Sequence, residues 1–227
     1  MSDTSTTENR ISEISEVRAG LVYVSSYAGF LKRTFDILLS ILMLPVLIPV
    51  ILLLAIAVRL EGGPGFFGHH RVGQGGRLFR CWKIRTMVPD AQARLEALLA
   101  SDALAREEWA RDQKLRNDPR VTRLGNFLRK SSLDELPQIW NVLRGDMSLI
   151  GPRPVTEPEL VKYGAKKWAY LAMRPGITGL WQVSGRNDVS YDERVQLDVD
   201  YHNSMSFAGD LRILVQTVGA VLGKTGM

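Results

Sequence analysis

Residues 37–58 contain no charged side chain, and as a helix this stretch would be about 33 Å long, close to the hydrocarbon thickness of a bilayer. Pro45 and Pro49 lie near its middle and predict a kink, because each removes an N–H and crowds the preceding turn. Bases flank both ends, Lys32 and Arg33 before it and Arg59 and Arg71 after it, so the positive-inside rule selects no orientation. Residues 1–20 are rich in Ser, Thr and Glu and poor in aromatics, which predicts a flexible tail reaching to about residue 30. No cleavable signal is read there, since the apolar run lies too far from the start.

Past residue 61 the pattern shortens and turn residues take over. A hairpin is expected around Gln74, Gly75 and Gly76, joining two strand-like segments. Over residues 89–118, Leu95, Leu98, Leu99, Leu104 and Trp109 recur near helical spacing, predicting an amphipathic helix for the bilayer surface or the core. A turn at Asp118 and Pro119 and a short amphipathic helix lead into residues 129–154. There Ser132 and Glu135 fit a capping box that would start a helix carrying Leu136, Ile139, Trp140 and Leu143 inward. A further helix is expected over residues 160–171, and an apolar one over 210–222 whose uncharged part, 213–222, is too short to span. The fold class is α+β and mostly helical: a membrane-embedded segment over residues 31–60 and a compact body over 61–227 with amphipathic interfacial helices.

The chain has 227 residues and a formal charge of +5, with a pI near 9.5, which suits an anionic partner. Anionic lipid and phosphorylated substrates fit. Nucleic acid is disfavoured, because no basic recognition helix, helix-turn-helix or aromatic RNA-binding strand is apparent. A single cysteine, Cys81, excludes an internal disulfide and a multi-cysteine zinc site.

Two adjacent carboxylates, Asp134 and Glu135, stand between Arg129 and Lys130 on one side and Arg144 and Arg153 on the other. Near a helix start, with cations beside it, Asp134 is expected to be ionised. It would then suit attack on phosphorus or a metal, while simple capping is the plainer role for Glu135. Lys83 and Arg85 alternate with Trp82 and Ile84, placing both cations on one face of a strand where they could meet a phosphate. Arg174, in a rigid turn with Pro175 and Gly176, could present a cation beside the carboxylates. Trp181, Gln182, Ser184, Arg186 and Asn187 offer an aromatic plane and hydrogen-bonding groups suited to a nucleotide or sugar, though each could equally serve a turn or the core.

The run LDELPQIWNVLRGDMSLIGPRP, with KRTFD, WKIRTM and RPGITGLWQVSGRN in the same order, resembles the bacterial sugar transferase family of monotopic phosphoglycosyl transferases. The resemblance covers residues 31–217 and is nearest to the small members that begin exopolysaccharide repeat units. It implies transfer of a sugar 1-phosphate, such as that of galactose or glucose, from a UDP-sugar to undecaprenyl phosphate. Asp134 would be the nucleophile and form an aspartyl-phosphosugar, with Glu135 a metal ligand or acid–base partner. Magnesium would be held by Asp134 and Glu135. Arg129 and Arg153 would hold phosphate charge, and Lys83, Arg85, Arg174, Gln182 and Arg186 would complete the substrate site. The resemblance also implies a re-entrant helix, both ends returning to the cytoplasmic face of the bacterial inner membrane, with membrane lipids as partners and a possible homodimer. Pro49 matches the family's kink proline, whereas Ile48 stands where a serine is common and Pro45 is additional. Asp36 would anchor the helix near the interface. A non-catalytic membrane scaffold of a polysaccharide assembly complex is the alternative, but it would not need an Asp-Glu pair ringed by arginines.

Overall fold

The computed structural model describes residues 27–112, 115, 117–185 and 189–222. The expected tail, up to residue 26, and Arg186 and Asn187 lie outside the described residues. The first long element is α1 (Lys32–Leu60), 29 residues preceded by a π-helical turn, Tyr27–Leu31. It runs as one helix through both Pro45 and Pro49, so neither proline breaks it. One stripe is inward: Asp36, Ser40, Ala55 and Val58 are buried, and Leu39, Leu44, Leu47 and Ile51 pack on the main core. The opposite face exposes Leu38, Ile41, Leu42, Val46, Leu52, Leu53 and Ile56. An apolar stripe that finds no protein partner is the signature of a lipid-facing surface.

Both ends of α1 are tied to the same body. At its start, the Lys32 ammonium lies 2.6 Å from Asp210 Oδ2, and Tyr27 and Tyr201 hydroxyls donate to the two oxygens of that carboxylate at 2.8 and 2.7 Å. Asp36 Oδ1 accepts the Leu149 N–H at 3.1 Å. A buried charge demands such partners, and each of these has them. At the far end the Arg85 guanidinium donates to the carbonyls of Val58, at 2.9 Å, and Gly62, adding side-chain donors to the helix terminus. Gly65 then passes so close that a Cβ there would meet the Ala55 carbonyl at 2.5 Å.

The expected hairpin forms from β1 (Phe66–Val72) and β2 (Leu78–Ile84), antiparallel, with a 3₁₀ turn at Gln74–Gly76. The single helix expected over residues 89–118 is two, α2 (Ala91–Ser101) and α3 (Ala103–Asp112). Asp102 divides them, its Oδ1 accepting the N–H groups of Leu104 and Ala105 at 2.9 and 3.0 Å, as an N-cap does. Next come α4 (Arg123–Ser131), N-capped by Thr122, and α5 (Gln138–Arg144), closed by Gly145 at φ 92°. A two-stranded parallel ladder pairs β3 (Ser148–Ile150) with β4 (Gly176–Thr178).

Between those strands lie α6 (Glu157–Val161) and α7 (Lys167–Ala172), where one helix over residues 160–171 was expected; Gly164–Lys166 forms a 3₁₀ turn between them. The chain finishes with α8 (Leu180–Val183), α9 (Tyr191–Ser204) and α10 (Phe207–Leu222). The main core collects Phe79, Ile139, Val142, Met147, Ile150, Met173, Tyr201 and Ile213 under α1. Helices and short sheets therefore make the expected α+β, mostly helical body. Trp140 departs from expectation: it is 57% exposed, because α5 turns its Ile139–Val142 side to the core.

Candidate active site

Asp134 and Glu135 do not begin a helix through a capping box. Ser132 closes α4 in the left-handed conformation, φ 57°, the only non-glycine residue with positive φ among those described. That geometry excludes the extended backbone an N-cap requires. Its carbonyl instead accepts the Glu135 N–H at 3.2 Å, and Leu133–Glu135 form a 3₁₀ turn. A left-handed serine costs backbone energy and is found where the surroundings impose it, commonly at functional sites. Two close approaches fix α4, the helix it closes. Gly125 of α4 lies against the Thr86 carbonyl, which a Cβ would meet at 2.0 Å, and Leu128 is fully buried against Val58 and Ile84.

The turn points both carboxylates at β2. Lys83 Nζ lies 2.6 Å from Glu135 Oε1 and 3.7 Å from Asp134 Oδ2. Asp134 is 7% exposed; burial pushes its carboxyl up to about 6, with Lys83 and Arg129 opposing and Glu135 adding to the rise. Glu135 moves the other way. Burial would raise it too, but the Lys83 charge and hydrogen bond, with Arg153 and Arg71 behind them, hold it below the usual range. Lys83 is disfavoured by burial and yet held more basic than usual by the two carboxylates. The neighbours are thus distinct: Glu135 is the standing anion of an ion pair, and Asp134 is a desolvated carboxylate whose ionised form is reactive. The helix start and flanking cations were expected to favour the ionised form of Asp134; burial outweighs them in setting the direction of the shift. At pH 7 a carboxyl with a value near 6 is still ionised about ten to one.

Around the pair the charge is positive. Arg129 donates from Nε to Thr86 Oγ1 at 2.9 Å, and its field reaches Asp134. Arg153 acts on Glu135. Arg71, read from the sequence only as a charge flanking the apolar run, also acts on Glu135 and pairs with Glu159 at 3.0 Å. Arg194 was missed altogether. Its guanidinium lies 3.9 Å from the Trp181 ring centroid and is within the field of Arg153. Arg71 reaches the pair across the tertiary fold, which no local pattern in the sequence carries.

The other expected substrate residues occupy separate places. Arg85 holds the end of α1, with its Nε and Nη1 buried and unpaired among the described residues. Gln182 donates to the Ile177 carbonyl at 3.1 Å, and Arg186 is outside the described residues. Arg174 donates from Nε to the Gly145 carbonyl at 3.0 Å, at the C-terminal end of α5. The carboxylates precede the N-terminal end of that helix, a separation of about 10 Å along its axis.

Two carboxylates beside a lysine and a ring of arginines have the chemistry that phosphoryl transfer calls for, a carboxylate that could attack and cations that could take up charge. Comparison with known proteins is consistent with this. A family described as "Bacterial sugar transferase" matches residues 27–224. The UDP-galactose-lipid carrier transferase of Erwinia amylovora is 51% identical over 197 residues, 87% of this chain and 41% of the relative. The undecaprenyl-phosphate galactose phosphotransferase of Salmonella typhimurium is 52% identical over 197 residues, 87% of this chain and 41% of the relative. The exopolysaccharide production protein ExoY of Rhizobium meliloti is 47% identical over 204 residues, 89% of this chain and 90% of the relative. The chain therefore spans about two-fifths of the first two and nearly all of the third.

Proposed function

The chain belongs to the bacterial sugar transferase family, and from that premise we propose that it moves a sugar 1-phosphate, such as that of galactose or glucose, from a UDP-sugar to undecaprenyl phosphate. This is the initiating step of exopolysaccharide repeat-unit synthesis. The observation that carries the reading is the division of labour in the pair: Glu135 fixed on Lys83, and Asp134 desolvated and raised to about 6. An Asp134 oxygen attacks the phosphorus that bears the sugar, the bond to the uridylyl phosphate oxygen breaks, and UMP leaves. The lipid phosphate oxygen then attacks the same phosphorus and restores the free carboxylate. Lys83, Arg129 and Arg153 take up phosphate charge in both steps.

Asp134 and Glu135 also suit magnesium, which commonly takes one or two carboxylates and fills its remaining positions with substrate phosphates and water. Among the described residues no group of three or more Asp, Glu, His or Cys side chains is placed to hold a metal alone, which fits an ion shared with substrate. When bound, it would neutralise pyrophosphate oxygens. A panel of radiolabelled UDP-sugars offered with undecaprenyl phosphate should yield organic-soluble label and UMP from one hexose above the rest. Excess EDTA should lower the rate at least about tenfold, with magnesium restoring it. Absence of lipid-linked label from every donor would overturn the activity, and full rate in EDTA would remove the metal.

The re-entrant, cytoplasm-facing topology is supported by α1 having both ends bonded to one body and an apolar face along its length. Cys81 cannot report on this, being 3% exposed with its thiol pushed up to about 11 by burial. Single cysteines at Ser5 and at exposed Arg77, in a Cys81→Ala background, serve instead. A membrane-impermeant thiol reagent should label neither in intact spheroplasts and both after lysis. Labelling of one alone in intact cells would establish a true span.

A further inference from the structure

Beside the start of α1 lies a cavity of about 670 Å³ that neither Asp134 nor Glu135 lines, within the usual range for small-ligand sites. It sits at the C-terminal end of α5, the opposite end from the carboxylate pair. Arg33 and Arg174 both line it and lie close enough to repel one another. The end of α5 holds them there. Arg33 donates to the Val142 and Leu143 carbonyls at 2.6 and 3.0 Å, and Arg174 donates to Gly145 at 3.0 Å. These carbonyls lie at the negative end of the helix dipole.

The nearby charges are not enough to balance the pair. Lys32 lines the same cavity but is committed to Asp210. Asp36 also lines it, buried, with one oxygen on the Leu149 N–H. Neither Arg33 nor Arg174 forms a salt bridge among the described residues, and the Nη groups of Arg174 have no hydrogen-bond partner among them. Two like guanidinium groups with spare donors in a concave site favour a multi-oxygen anion, which each fork can engage.

One side of the remaining wall tells what carries the anion. Gln74, His202, Asn203 and Ser204 make a polar side, but Ile150, Met173 and Phe30 are apolar, and Phe30 is 81% exposed, followed by exposed Leu31 and then by the exposed face of α1. A site that is cationic at one end and continuous with a lipid-facing helix at the other fits an amphiphile. We propose that this cavity is a second, non-catalytic site for the phosphate head of a membrane lipid, with Arg33 and Arg174 on the phosphate oxygens and the tail passing over Phe30 onto α1. It goes beyond the transfer reaction and would fix the depth and tilt of α1.

The test is native mass spectrometry of the full chain in detergent, titrated separately with dioleoylphosphatidylglycerol, dioleoylglycerol, undecaprenyl phosphate and inorganic phosphate. Phosphatidylglycerol should bind and weaken at least about tenfold in Arg174→Gln. Exposed Asn203 lines the same cavity, so Asn203→Asp, which leaves the α5 contacts in place, should weaken it severalfold by repulsion. Dioleoylglycerol and inorganic phosphate should not bind at the same concentration. Undecaprenyl phosphate bound in an Arg174-dependent way, with phosphatidylglycerol excluded, would overturn the non-catalytic reading and assign the cavity to the acceptor. Phosphatidylglycerol binding unaffected by both variants, equal binding of dioleoylglycerol, or Arg174-dependent binding of inorganic phosphate would overturn the proposal. Asp134→Asn should bind the lipid like wild type, which separates this test from that of the reaction.

Discussion

Asp134→Asn is expected to lower transfer at least about 10³-fold, the scale on which a covalent nucleophile is lost, while the protein melts no lower than wild type at pH 7.5. Asn keeps the size of Asp, so the 3₁₀ turn at Leu133–Glu135 is undisturbed, but its amide cannot form the acyl-phosphate. Stability should follow the sign of the shift. Asp134 has a folded value near 6, raised above its ordinary 3.8 by burial, so the stability it lends is present below about pH 4 and lost as pH rises through 6. In chelator, the two proteins should therefore melt alike near pH 4, and the variant should gain on wild type between pH 4 and 7. A variant that melts progressively below wild type over that interval would show that the ionised carboxylate is stabilised in the fold, contrary to the burial argument.

Lys83→Met is expected to cost about 10²-fold in kcat/KM, comparable to removal of one strong electrostatic donor. Met keeps most of the length of the side chain and removes its charge. Two effects then combine. The transferring phosphate loses a cation, and Glu135, 2.6 Å from Lys83, loses its closest ion-pair partner while Asp134 stays beside it. Lys83→Arg should recover part of the rate because charge returns in a different shape. Steady-state kinetics at saturating donor separate the roles: a change confined to KM would leave Lys83 as a binding contact alone. Equal activity of Met and Arg variants would remove its charge from the mechanism.

The sequence made the elements of the catalytic body legible where the signal was local. The hairpin at Gln74–Gly76 and the helix of residues 123–131 followed from turn chemistry and periodicity, and formed. The Ser132–Glu135 capping box satisfied the same local rules and did not form, because Ser132 takes the left-handed conformation that closes α4 and Lys83 takes the Glu135 carboxylate. Genuine capping boxes occur at Thr156–Glu159 and Ser190–Glu193, where the cap residue has the extended backbone that Ser132 lacks. Lys83, expected to meet a phosphate, pairs with the two carboxylates instead. Arg85, two residues on, passed the end of β2 and was drawn to the carbonyls of α1. Arg174 was placed beside the carboxylates by the turn it occupies, yet it lies at the other end of α5. That distance depends on how β4 pairs with β3, a long-range fact that no local pattern carries. Arg71 and Arg194 escaped notice for the same reason.

The central claim is that Asp134 carries the phosphosugar between donor and lipid. Wild-type protein incubated with the preferred UDP-sugar in the absence of undecaprenyl phosphate, then quenched and digested for mass spectrometry, should bear a hexose-phosphate on the peptide containing Asp134. The adduct should disappear on addition of the lipid phosphate and be absent from Asp134→Asn. An adduct that persists in Asp134→Asn, or wild-type turnover with no adduct and with inversion at the donor phosphorus, would contradict it.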